Sequence, residues 1–267
     1  MEKRVALITG ASSGIGKALA LKFAQENFNV VLAARNEQAL KQLVEEIELK
    51  QQSAIYIITD VAKEEDCKNL IKDTISYFGK IDVLINNAGI SMRAIFETTA
   101  IDVIEKVMQI NFFGAVYCTK YALPYIISSQ GSIIAISSIA GYRGLPGRTG
   151  YSASKFAMHG FFQSLRLENL KHKLHVLIAC PGYTASNIRN AALNADGNAQ
   201  SETPLNETKL MQAGEVAKII FNGYVKKSDE IIMTKEGKIA VLLAKFFPAI
   251  LDILIYKKVK KEPGSPF

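Results

Sequence analysis

Tyr151 and Lys155 stand four residues apart in Tyr151-Ser152-Ala153-Ser154-Lys155, within a segment of helical periodicity. Side chains at that spacing share one helix face. A phenol with its ordinary pKa near 10 is a poor base at neutral pH, and a neighbouring ammonium favours the phenolate and lowers that value. The pair is therefore suited to giving or taking a proton at one fixed point. Thirteen residues before the tyrosine, Ile133-Ile134-Ala135-Ile136-Ser137-Ser138 ends an apolar run in two hydroxyls. Asn86-Asn87-Ala88-Gly89 and Pro181-Gly182-Tyr183-Thr184 follow two other such runs. If these runs are parallel strands, all three segments lie at the carboxyl edge, where such sheets bind ligands.

A second constellation opens the chain. The first apolar run leads into Thr9-Gly10-Ala11-Ser12-Ser13-Gly14-Ile15-Gly16 and then into helical periodicity. Gly10 permits a tight turn, Gly14 lets backbone N–H groups approach phosphates, and Gly16 lets helix and strand pack closely. The helix N-terminus then presents partial positive charge to a pyrophosphate. The second run ends in Ala34-Arg35, with no Asp or Glu to accept from an adenosine ribose 2′-hydroxyl. A guanidinium there suits a 2′-phosphate, which points to NADP(H) rather than NAD(H).

Positioning these residues requires alternating strands and helices. Val5–Thr9, Asn29–Ala34, Ile55–Thr59, Val83–Asn86, Ser132–Ser137, His175–Ala179 and Glu230–Thr234 read as strands. Several are continuously apolar, as expected of strands covered on both faces. Helical spacing covers 14–26, 37–50, 64–78, one long stretch at 99–128, then 152–171 and 214–225. Seven strands alternating with helices predict an α/β fold with a doubly wound, seven-stranded parallel sheet in a single domain. The 267 residues carry a net charge of +7, of which +4 falls within residues 235–267. A nucleic-acid binder spreads a larger basic excess over one face, so no nucleic-acid partner is expected. Three widely spaced cysteines and three histidines predict neither a disulfide framework nor a metal site. With no signal peptide visible in the first residues, the expected location is cytoplasmic.

The ordered set TGASSGIG, NNAG, Asn111, Ser138, YSASK and Pro181-Gly182, spread over residues 4 to about 234, resembles the short-chain dehydrogenase/reductase family. The resemblance implies a Rossmann-like fold and NADP(H)-dependent reduction of a carbonyl, or the reverse oxidation of an alcohol. Residue by residue, it implies that Tyr151 is the proton donor or acceptor. Lys155 would hold the nicotinamide ribose and lower the tyrosine pKa. Ser138, rather than Ser137, would orient the carbonyl, and Asn111 would support a water in a proton relay. It also implies that Asp60 and Val61 recognise adenine, that Asn87, Ala88 and Gly89 lie beside the adenosine ribose, and that Pro181, Gly182 and Thr184 meet the nicotinamide end. Gly10, Ser12, Ser13, Gly14, Ile15, Gly16 and Arg35 complete the expected cofactor set. Family members usually pair through the helices after strands four and five, so a homodimer or homotetramer is expected.

The substrate side is less defined. Residues 185–212 are rich in Asn, Ala, Gly, Gln, Ser and Thr and read as a lid, with Ile188, Leu193 and Leu205 as its apolar contacts and Arg189 nearby. Tyr142, Leu145 and Met92 are further candidates for the pocket, which suits a hydrophobic carbonyl compound. Residues 1–234 form the expected catalytic domain and 235–267 an amphipathic basic tail. Within that tail Ile239–Tyr256 reads as one helix, with Lys245 and Asp252 on a narrow polar face and four lysines following. It could lie on an anionic membrane, peripherally on its inner face, or dock on protein. Tail and lid loosely resemble the branch of the family containing the 11β-hydroxysteroid dehydrogenases and the dehydrogenase/reductase 7B proteins. Two other functions fit parts of the pattern: a 3-oxoacyl carrier-protein reductase, with Arg93, Arg143 and Arg148 meeting an acidic carrier, and an NADP(H)-binding sensor or membrane-docking protein.

Overall fold

The computed structural model describes residues 3–185, 187–200 and 210–262, with Ser265 and Phe267. Strands β1 (Val5–Thr9), β2 (Asn29–Ala34), β3 (Ala54–Ile58), β4 (Val83–Asn86), β5 (Ser132–Ile136), β6 (His175–Cys180) and β9 (Glu230–Ile232) form one sheet. All its pairings are parallel, in the order β3-β2-β1-β4-β5-β6-β9. The order reverses between β1 and β4, which opens a crevice at their carboxyl ends. The expected seven-stranded, doubly wound sheet is the observed one.

Two apolar layers hold the sheet. On one face α1 (Gly14–Gln25), α2 (Glu37–Glu48) and α7 (Ala213–Val225) cover Ala6, Ile8, Leu32 and Ile134. Phe23, Phe28, Phe221 and Tyr224 interlock there with ring centroids 5.0–6.4 Å apart. On the other, α3 (Glu64–Phe78), α5 (Gly114–Ser128) and α6 (Thr149–Glu168) cover Leu7, Leu84, Ile133 and Val176, while α4 (Ile101–Met108) buries Val103 and Val107 in a smaller cluster beside them. Alternate residues of each strand serve opposite layers, which is why these strands are apolar without alternation. Helix limits follow local chemistry. Asn36 Oδ1 accepts from Ala39 N at 3.0 Å to open α2, and Gly79 closes α3 in the left-handed region with φ 73°.

Five expectations change. The long helix at 99–128 is broken into α4 and α5 by a π turn at Gln109–Phe113. Asn111 lies in that turn, and its side chain makes three hydrogen bonds outside its own helix, which favours the wider turn over regular register. Helix α6 begins at Thr149, so Tyr151 sits in its first turn. The strand read as Ile55–Thr59 starts one residue earlier, and β9 stops at Ile232 because Thr234 caps the next helix, accepting from Gly237 N at 3.0 Å. The tail is not one helix. Helices α8 (Lys235–Phe246) and α9 (Pro248–Lys260) meet at Phe247, which leaves the helical region with φ −136° and ψ 55° ahead of Pro248. Lys245 and Asp252 therefore lie on different helices and share no face.

Of the expected lid, the described part includes a two-residue parallel pairing of β7 (Thr184–Ala185) with β8 (Met211–Gln212). Leu193 bridges to Met92 and Ala199. Leu205 lies outside the described residues.

Candidate active site

One cavity of about 810 Å³ runs along the carboxyl edge of the sheet, from the glycine turn to α8 and α9. Its first half is built by the β1–α1 turn. Gly10 adopts φ +65° and Gly16 packs so closely that a Cβ would lie 2.2 Å from the Gly10 carbonyl oxygen. Asn87 Nδ2 ties this turn down by donating to Thr9 O at 2.9 Å and Gly10 O at 3.2 Å. The backbone N–H groups of Asn87 and Ala88 donate in turn to the Thr9 hydroxyl. Ser13, at the N-cap of α1, makes no side-chain capping bond, and no acid occupies the first turn. The N-terminal N–H groups of α1 thus remain for a ligand, and Ser12, Ser13, Gly14, Ile15 and Gly16 all line the cavity. Arg35, exposed, stands at the same end beside buried Ala34. Asp60, Val61 and Gly89 complete that wall. A backbone cradle, a helix terminus and a guanidinium fit a phosphate-bearing dinucleotide.

The second half is built on α6 and the loops after β5 and β6. Ser138, Tyr151, Lys155, Pro181, Gly182 and Thr184 all line it. Ser138 Oγ accepts from Ala140 N at 3.2 Å, which leaves its own proton free to be directed at the neighbouring Tyr151 phenol. Burial pushes the Tyr151 phenol above its ordinary value, against the downward pull of the Ser138 hydroxyl and the Arg148 guanidinium. That direction opposes the one expected from a neighbouring lysine. The reason is geometric: Lys155 Nζ turns away to donate to Ile136 O at 2.9 Å, and lies 5.7 Å from the tyrosine ring centroid. Lys155 is itself 4% exposed, and burial pulls its ammonium down to about 8.

Asn111 is the one expected catalytic residue that does not line the cavity. Its Oδ1 accepts from Ile90 N at 2.8 Å, and its Nδ2 donates to Ile90 O at 2.9 Å and to Ser154 Oγ at 3.0 Å. Ser154 Oγ donates to Tyr151 O at 2.7 Å. The asparagine thus clamps the loop after β4 to the turn that carries the tyrosine. Ser137 also lines the cavity; its hydroxyl is buried and finds no partner among the described residues.

Sequence reasoning missed several neighbours. Ser154 was visible inside YSASK, but its partner on another element was not. His159, one helical turn beyond Lys155, places Nε2 3.6 Å from Cys180 Sγ. Burial holds the imidazole below its ordinary pKa and pushes the thiol up to about 12. The larger omission is α8–α9: Gly237, Val241, Ile255 and Lys258 line the substrate end. Tyr142, Leu145 and Ile188 line it as expected, whereas Met92 packs in a separate apolar cluster with Val103 and Leu193. Arg189 is not a solvated surface residue; it is 5% exposed and donates to Thr184 O at 2.9 Å.

A doubly wound parallel sheet, a glycine turn at the switch point and a Tyr151–Lys155 pair facing a strand-end serine define a nucleotide-binding oxidoreductase site. The family model described as short chain dehydrogenase matches residues 4–197, and the chain belongs to the short-chain dehydrogenase/reductase family. Among its relatives, dehydrogenase/reductase SDR family member 7B of Mus musculus is 35% identical, over 99% of this chain and 84% of that protein. The 11-beta-hydroxysteroid dehydrogenase 1A of Arabidopsis thaliana is 34% identical, over 93% and 73% respectively. Two solved structures share the fold. A short chain dehydrogenase/reductase from Burkholderia phymatum in complex with NAD has a TM-score of 0.80 at 23% identity, covering 95% of each chain. An alcohol dehydrogenase from Thermococcus sibiricus complexed with 5-hydroxy-NADP has a TM-score of 0.77 at 24% identity, covering 87% of this chain and 96% of that one.

Proposed function

We propose that this oxidoreductase uses NADP(H) to reduce the carbonyl of a hydrophobic or lipid-like compound to an alcohol. The observation that carries the cofactor choice is Arg35, at the mouth of the phosphate-binding half of the cavity, next to Ala34 where a carboxylate would be needed for a free 2′-hydroxyl. Bound in the cavity, the nicotinamide dinucleotide supplies the hydride. The N-terminal N–H groups of α1 hold its pyrophosphate, Arg35 its 2′-phosphate, and Asp60, Val61 and Asn87 to Gly89 its adenosine end. Pro181, Gly182 and Thr184 meet the other end.

Tyr151 is the proton donor to the carbonyl oxygen. A phenol held above its ordinary pKa stays protonated at neutral pH, which is the form reduction requires. Ser138 directs its hydroxyl proton at the same point and stabilises charge developing on oxygen. Lys155 stands one turn behind. Its ammonium, 5.7 Å from the Tyr151 ring centroid, would hold a ribose of the bound cofactor. Asn111 acts as a positioning residue through Ile90 and Ser154. Leu145, Ile188, Val241 and Ile255 give the substrate end its apolar wall.

We read α8 and α9 as cover for that end and as a peripheral membrane contact. Ile239, Leu242, Phe246, Phe247, Ile250, Ile253 and Leu254 are each more than half exposed. Lysines flank them at both ends, a pattern suited to an anionic lipid surface. Among the described residues no helix is long and apolar enough to cross a membrane. The carrier-protein reading is weaker, because Arg93 and Arg143 pair with Glu262 and Asp252 of this chain's own tail. For a homodimer, Phe113, Tyr125, Phe156 and Leu167 on α5 and α6 and the turn before them are exposed apolar residues available to a second copy.

The test is titration with NADPH and NADH by nicotinamide fluorescence, with carbonyl-dependent NADPH oxidation followed in parallel. Wild type should bind NADPH at least tenfold more tightly. Arg35→Ala should erase that difference, and Tyr151→Phe should bind NADPH normally while losing at least 10³-fold in turnover. Equal affinity for both cofactors in the wild type would refute the NADP assignment, and full activity of Tyr151→Phe would refute the mechanism.

A further inference from the structure

We propose that the substrate carries an anionic group, a carboxylate or a phosphate, which the Arg148 guanidinium receives at the end of the cavity beyond Tyr151. The inference rests on the oxidoreductase reading and refines its substrate class. Four cations, Arg143, Arg148, Arg189 and Lys258, line that end, against one carboxylate, Glu236. Three of the four are engaged. Arg143 forms a two-pronged ion pair with Asp252, its Nε donating to Oδ1 at 2.8 Å. Arg189 donates to Thr184 O, and Lys258 Nζ lies 5.2 Å from the centre of the Tyr183 ring.

Arg148 differs. It is only partly exposed, yet its guanidinium makes no hydrogen bond or ion pair among the described residues. It lines the cavity from the N-cap of α6, the helix whose first turn carries Tyr151, and so belongs to the reacting end rather than to the cofactor turn. A partly desolvated guanidinium is costly without a partner, and its planar fork matches the two oxygens of a carboxylate or phosphate. Arg148 precedes Tyr151 by three residues, so the anion and the reacting carbonyl are held close together. The surrounding wall of Leu145, Ile188, Val241 and Ile255 accepts an apolar chain. The ligand is therefore amphiphilic, with its charge near the carbonyl.

The experiment is calorimetric titration of the full chain, saturated with NADP⁺ so that its phosphate-binding half is filled, with hexyl phosphate, hexanoate and hexanol. Wild type should bind one or both anions about 10- to 100-fold more tightly than hexanol, the range of a charge-assisted hydrogen bond. Arg148→Leu should lose that margin while binding hexanol as before, which also shows that the pocket remains folded. Arg148→Lys should restore part of it. Preference for the phosphate or for the carboxylate identifies the group. Equal binding of all three ligands by the wild type, or undiminished anion binding by Arg148→Leu, would overturn the proposal. Neither result depends on turnover, so the oxidoreductase reading, tested by Tyr151→Phe, stands or falls separately.

Discussion

Lys155 is a buried cation of the site, and burial holds its ammonium well below its ordinary pKa. Its aliphatic stem is buried and its ammonium has one carbonyl and the Met158 sulfur for company. The folded chain holds that proton only to about pH 8, the unfolded chain to about 10.4. Between those values the unfolded state binds more protons, so stability rises with pH, by about 3 kcal/mol over the interval. Lys155→Met removes the charge with little loss of volume. The stability of wild type relative to this variant, from urea unfolding, should rise by about 2–3 kcal/mol between pH 7 and pH 10.5. A flat difference would mean that the ammonium is solvated. The spacing of Tyr151 and Lys155 was legible because helical periodicity alone puts them on one face. The direction of Nζ was not, because the carbonyl that attracts it belongs to β5.

The glycine turn and the π turn make a contrast between elements. Gly10, Gly14 and Gly16 announce their conformation, since the left-handed φ and the close approach exclude side chains wherever the turn is used. Gly16→Ala would set a Cβ 2.2 Å from Gly10 O and 2.5 Å from Asn87 Nδ2. It should lower stability by about 2 kcal/mol or more and weaken NADPH binding at least tenfold, by denaturation and fluorescence titration respectively. Wild-type affinity would mean that the turn has room to relax. Strands were legible too, since β1, β2, β5 and β6 are nearly unbroken apolar runs. The interruption of the helix at 109–113 was not. It is fixed by bonds from Asn111 to Ile90 and from Gln109 to Ala62, partners that sequence periodicity cannot reveal.

For the molecule as a whole, the tail matters most. Its inner side lines the cavity, and Arg143–Asp252 and Arg93–Glu262 fasten it to the catalytic body. Its outer side carries the exposed apolar residues. Replacing Leu242, Ile250 and Leu254 together by Gln should abolish flotation with vesicles containing about one-third anionic lipid and leave NADPH affinity unchanged. Undiminished flotation would move the contact elsewhere, and a lost cofactor site would show that these side chains support the fold.

The amino-acid sequence by itself determined the alternation of strands and helices, the phosphate turn, the Tyr151–Lys155 spacing and the family, because each is a local pattern of apolarity or backbone freedom. Only the tertiary structure decided where Lys155 and Asn111 spend their hydrogen bonds. It also decided that the Arg148 guanidinium faces the cavity with no partner among the described residues, and that a broken tail forms part of the pocket wall. Those outcomes depend on contacts between residues far apart in the chain, whose energies appear only when the sheet has brought them together.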